Sequence, residues 1–159
     1  MIIFTKPSKF QYMRIKSIAI GLLSCIFLTV LLGCSWLTDF YIQNLTDSKK
    51  IIKINYSYPI SKAIDNESGS FGFNYENGLL SPRAFYKIKN PKSLEKVEVR
   101  DSSIVLELYP NSTTKIYKSH NGSWRYKIKS VEIDGIIFYP EKLKDKSRYI
   151  SNHYVYKIN

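Results

Sequence analysis

Few side chains in this 159-residue chain are equipped for covalent or metal chemistry. There are two histidines, His120 and His153, and two cysteines, Cys25 and Cys34. No HxH or HExxH spacing joins the histidines, and no cysteine follows residue 34. Residues 35–159 thus offer neither the N/S set of a structural zinc site nor a disulfide. His120 precedes Asn121 and Gly122, a pair that tolerates positive φ, which places it at a hairpin edge. A Ser-His-Asp triad is assembled by the fold rather than by spacing, but no G-x-S-x-G elbow is present. Glu132 and Asp134 stand two apart. With Val131 and Ile133 facing inward they share the outer side of a strand and read as surface charge. The expectation is a non-enzymatic protein without metal or cofactor.

Charge points to binding instead. The net charge is +11, of which Lys6, Lys9, Arg14 and Lys16 supply four; without residues 1–33 the chain still carries +7. Such an excess favours anionic partners. Two basic rows stand out. Lys87 and Lys89 flank Ile88, and Arg125, Lys127 and Lys129 alternate with Trp124, Tyr126 and Ile128. On extended strands each row projects from one face. If the two strands are neighbours, the five cations form one patch for an anionic surface.

The elements that must carry these rows read as strands. Ile52, Ile54 and Tyr56 alternate with Lys53 and Asn55, Val97 and Val99 with Glu98 and Arg100, and Ile104, Leu106 and Leu108 with Val105 and Glu107. Period-two patterning of this kind argues for half-buried strands. Turn signals recur roughly every ten residues, the spacing of a sandwich or barrel. Strands are expected near 39–44, 50–58, 71–75, 83–89, 94–100, 104–109, 114–119, 123–133, 136–139 and 153–158. A helical turn is expected at 141–146, after Pro140. The fold class is all-β, an antiparallel β-sandwich, with a small β-barrel as the alternative. One domain spans 40–159, behind a short tether at 34–39 and an N-terminal apolar signal helix.

That leader covers residues 18–33, whose only polar residues are Ser24 and Thr29. It is nearer a signal h-region than a spanning helix in length. It ends on Leu31, Leu32, Gly33 and Cys34, which resembles the lipobox of bacterial lipoproteins, although a smaller residue than Leu32 is commoner at the second place. The resemblance covers residues 13–35. It implies cleavage between Gly33 and Cys34, a diacylglyceryl thioether on Cys34 and acylation of the new N-terminus, which together anchor a protein stably where one chain does not. Met13 is a second candidate start, giving a leader that runs from 13 to 33. Ser35 rather than Asp follows the cysteine, which in Gram-negative lipoproteins implies the periplasmic leaflet of the outer membrane. An uncleaved single-span inner-membrane anchor is the alternative.

The expected role is a lipid-anchored envelope lipoprotein acting as a non-enzymatic binding or assembly module. Its partners are the membrane, through the lipid on Cys34, and another envelope protein; nucleic acid is a poor partner for an exported chain. An inhibitor or immunity protein against an envelope-active enzyme is the alternative, and a hydrolase the least supported reading.

Overall fold

The first strand of the domain, β1 (Phe40–Asn44), reads FYIQN without alternation, and all five residues are buried. A strand covered on both faces has no polar side to show. In the computed structural model, which describes residues 20–23, 35–60 and 71–159, both covers are visible. One is a second sheet. The other is a short helix on the outer face.

Trp36–Asn159 forms one compact unit, distinct from Met1–Ser35. Its strands are β1, β2 (Lys50–Tyr56), β3 (Asn74–Asn77), β4 (Lys92–Ser93), β5 (Lys96–Arg100), β6 (Ser103–Leu108), β7 (Ser112–Tyr117), β8 (Ile128–Ile133), β9 (Ile136–Phe138), β10 (Arg148–Ile150) and β11 (His153–Ile158). Its helices are α1 (Pro82–Tyr86), α2 (Trp124–Lys127) and α3 (Pro140–Lys146). One sheet runs β10-β11-β1-β7-β3-β4 and the other β5-β6-β2-β8-β9. The sheets stay open and face each other as an all-β sandwich, not a barrel. Pairing is antiparallel except between β1 and β11, which lie parallel in register from Phe40 and Tyr154 onward.

The core lies between the sheets. Ile52, Ile54, Tyr56, Ile104, Leu106 and Leu108 face it as their alternation requires, joined by Phe40, Ile42 and Trp124. Each such side chain removed from water contributes about 1.5–3 kcal/mol. Val97 and Val99 also alternate, yet they are 62% and 39% exposed. β5 is an edge strand, its register with β6 shifts between Lys96 and Glu98, and most of it is exposed. Asn121 and Gly122, and Asp134 and Gly135, take positive φ as expected of tight turns. Ser151 and Asn152, without a glycine, do the same between β10 and β11. The helix expected after Pro140 is α3, which sinks Leu143 into the core.

One expected strand is replaced by a helix and another begins as one, and both carried candidate cations. Residues 83–89 do not form a strand. Ser81 caps α1 by accepting the Ala84 N–H at 3.2 Å, and Pro82 opens the helix with its φ already fixed. Residues 124–127 form α2 instead of the start of a long strand. β7 already pairs with β1 on one side and β3 on the other, so the chain beyond Gly122 does not fold back along it and crosses to the other sheet in a helical turn. Trp124 and Ile128 are buried at helical spacing, while Tyr126 is 74% exposed. The expected burial of Trp124, Tyr126 and Ile128 on one strand face is thereby corrected.

Candidate functional site

Two features gather at one end of the sandwich, where β1 and β11 begin and β7 ends. The first is the entry of the chain. Trp36 N–H donates to Asn121 Oδ1 at 3.0 Å, and Asn121 N–H returns to Trp36 O at 2.9 Å. Thr38 N–H donates to Ser119 O at 2.9 Å, and the Ser119 hydroxyl donates to Thr38 O. The segment expected to be a short tether is thus stitched to the turn after β7 from Trp36 onward.

The basic and aromatic side chains of α2 lie at this end too. Ser57 closes the helix C-terminus, its hydroxyl donating to Tyr126 O at 2.8 Å and Lys127 O at 3.0 Å. Arg125 Nε donates to Gly122 O at 3.3 Å, and its guanidinium lies 5.7 Å from the Tyr126 ring. The Lys127 ammonium lies 5.3 Å from the Tyr58 ring. Lys118, Tyr126 and Lys127 are exposed, as is Trp36 at 52%. Aromatic rings beside cations are the side chains found at membrane interfaces, each with an apolar body and a polar tip.

The second feature is a groove of about 320 Å³ between α1 and the β10–β11 turn, lined by Pro82, Arg83, Tyr86, Lys87, Ser151 and His153. Its position is set by polar anchors on the outer face of the sheet. Gln43 Nε2 donates to Leu80 O at 2.8 Å, and Thr113 Oγ1 accepts the Leu80 N–H and donates to Gly78 O, both at 2.8 Å. Beyond this clamp Phe85 packs edge-on against Tyr41 at 5.4 Å, within a small apolar cluster that includes Val155. Tyr41 in turn meets the His153 ring edge-on at 5.7 Å.

Asp39, 1% exposed, organises the floor. Its Oδ1 accepts the Ser119 N–H at 3.1 Å, and its own N–H donates to His153 Nδ1 at 3.0 Å. That bond requires Nδ1 to be unprotonated, so in the neutral ring Nε2 holds the proton and is the donor left for the groove. Burial holds Tyr41 well above its ordinary value, with the Asp39 carboxylate adding to the shift. Burial lowers the titration of His153, against a smaller upward pull from Asp39.

A pH dependence follows. Between the ordinary value of 6.5 and the lower folded value, the unfolded chain binds more protons at residue 153 than the folded one does. Stability therefore falls as pH drops through and below 6.5. Replacing His153→Asn keeps an acceptor near the Asp39 N–H and removes the titration. Unfolding in urea from pH 7.5 to 5 is expected to show a steeper loss for wild type than for the variant; parallel curves would refute the assignment.

The five cations do not form one patch. Lys87 lines the α1 groove, whereas Lys89 is exposed in the bend beyond it. Arg125 and Lys127 sit on α2, and Lys129 is exposed on β8, whose neighbours are β2 and β9. Asp134 pairs with Lys50 at 2.7 Å, in the turn after β8. Among the described residues no three His, Cys, Asp or Glu side chains cluster as metal ligands, and no helix is long and apolar enough to cross a membrane. Gly33, Cys34 and Met13 lie outside the described residues. Arg83 and His153, which sequence reading did not bring together, were signalled only by Ser81 and Pro82, an N-cap and first-turn pair that sets a helix beside the last hairpin. No protein-family model, curated protein or solved structure matches the chain.

Proposed function

We propose that this chain is a lipid-anchored, non-enzymatic binding module of the cell envelope, held by acyl chains on Cys34 and resting on the membrane by the end of the sandwich at which it enters. The observation that carries the reading is the stitched segment at 36–38. Only Ser35 stands between Cys34 and Trp36, a span of two residue steps that reaches about 7 Å at most when extended. Trp36 is bonded to the same turn that leads into Arg125 and Lys127. An acyl chain on Cys34 would therefore keep Trp36, Lys118, Arg125, Tyr126 and Lys127 at headgroup level. The periplasmic leaflet of the outer membrane, and a second envelope protein bound on the surface left open, complete the proposal.

The contact is testable apart from the lipid. Each cation near an anionic bilayer contributes about 1 kcal/mol, and salt screens it within about 10 Å. Unlipidated residues 35–159 are expected to sediment with anionic vesicles at low salt and to leave them at high salt. Reversal of Lys118, Arg125 and Lys127 to Glu is expected to weaken partitioning at least about a hundredfold. Reversal of Lys49, Lys50 and Lys157, towards the opposite end, leaves it nearly intact. Equal loss in both triple variants, or no binding at low salt, would overturn the orientation.

A further inference from the structure

We propose that the groove between α1 and the β10–β11 turn is a binding site for a phosphomonoester, held by Arg83, Lys87 and His153 with Tyr86 as a platform for the group that carries the phosphate. The site uses none of the residues of the proposed end contact and does not depend on the lipid.

Two observations converge on an anion. Arg83 lies on α1 and Lys87 is its C-cap residue, four positions on with helical backbone angles, so the two share a face. Like charges at that spacing repel by a few tenths of a kcal/mol in the absence of a counter-charge. Residues 78–94 contain four cations and no Asp or Glu, and among the described residues neither Arg83 nor Lys87 forms an ion pair. The repulsion is left for a ligand to relieve.

The donors also differ in a useful way. Arg83 offers a planar fork, Lys87 a single mobile ammonium, and His153 one ring N–H whose tautomer is fixed from behind by the Asp39 backbone. Donors arriving from a helix and from a strand suit the tetrahedral oxygens of a phosphate better than the flat pair of a carboxylate. Tyr86 is 71% exposed at the rim. A sugar or glycerol frame stacked on it would use that surface. The phosphate could belong to a free sugar phosphate or to a lipid headgroup, and the two are separated by the arms of the test.

The full-length protein in detergent micelles carries its own internal control, because His120 is exposed and does not line the groove, whereas His153 does. Histidine-ring resonances are followed at neutral pH. One arm adds inorganic phosphate and then glucose 6-phosphate; the other adds phosphatidic acid to the micelles. Resonances of His153 are expected to move saturably, and those of His120 to stay. Arg83→Gln and Lys87→Gln are each expected to weaken the response about tenfold or more, and Lys89→Gln, beyond the groove, to leave it unchanged. Glucuronate, with a carboxylate on a comparable ring, is expected to bind at least about tenfold more weakly than glucose 6-phosphate. A response in the free arm alone assigns a soluble ligand, and in the micelle arm alone a headgroup. No response in either arm, equal movement of His120, equal loss in Lys89→Gln, or equal binding of glucuronate would overturn the proposal.

Discussion

Replacing Trp124 by Ala is expected to cost about 3–5 kcal/mol, the range for removing a large buried aromatic side chain, and to shift the urea midpoint by a large part of the whole transition. Trp124 is fully buried. Its ring stacks on Phe40 at 4.6 Å and 14°, and Tyr154 meets it edge-on at 5.5 Å. These partners are the first residue of β1 and a residue of β11, the two strands that pair in parallel, so the indole joins α2 to the middle of the six-stranded sheet. Its loss opens a cavity beside the turn that holds Trp36, and loosening should be greatest at the proposed membrane end. The indole Nε1 is buried without a hydrogen-bond partner. Trp124→Phe removes that orphan donor while keeping a stacked ring, so it is expected to cost less than about 2 kcal/mol. Equal losses for Ala and Phe would contradict this account of the site.

The same residue shows what the sequence made legible and what it did not. Trp124, Tyr126 and Ile128 fit a period of two, and so does a helical turn that buries only the first and the last of them. Over five residues the two periods agree at i and i+4, and the choice fell to distant strands, because β1 and β3 occupy both edges of the β7 strand that precedes the segment. Longer alternation left no such choice. Ile52, Ile54 and Tyr56, with Ile104, Leu106 and Leu108, could lie only on strands with one face inward, and β2 and β6 pair through them. Ser81 and Pro82 were a local signal for α1 outweighed by the apparent alternation around Ile88. The groove was beyond reach for another reason. Arg83 and His153 are 70 positions apart and meet only because Gln43 and Thr113 pin the 78–80 loop across β1. No spacing rule encodes that juxtaposition.

The largest functional effect is expected at Cys34. With two or three acyl chains attached, the protein is expected in the membrane fraction and to leave it only with detergent, because each buried methylene contributes about 0.8 kcal/mol and a single chain holds only reversibly. By the lipobox reading, Cys34→Ala removes both the thiol that would accept the diacylglyceryl group and the substrate of the peptidase. The variant should keep its leader and take up no fatty-acid analogue. Cys25→Ala should label as wild type does. An uncleaved anchor and a lipidated one both sediment with membranes, so fractionation alone does not separate them. The intact mass of the protein extracted from membranes does. A chain beginning at Cys34 and carrying a diacylglyceryl group is the result expected here; a chain that retains residues 14–33, or one of unmodified mass, would contradict the lipid-anchored reading.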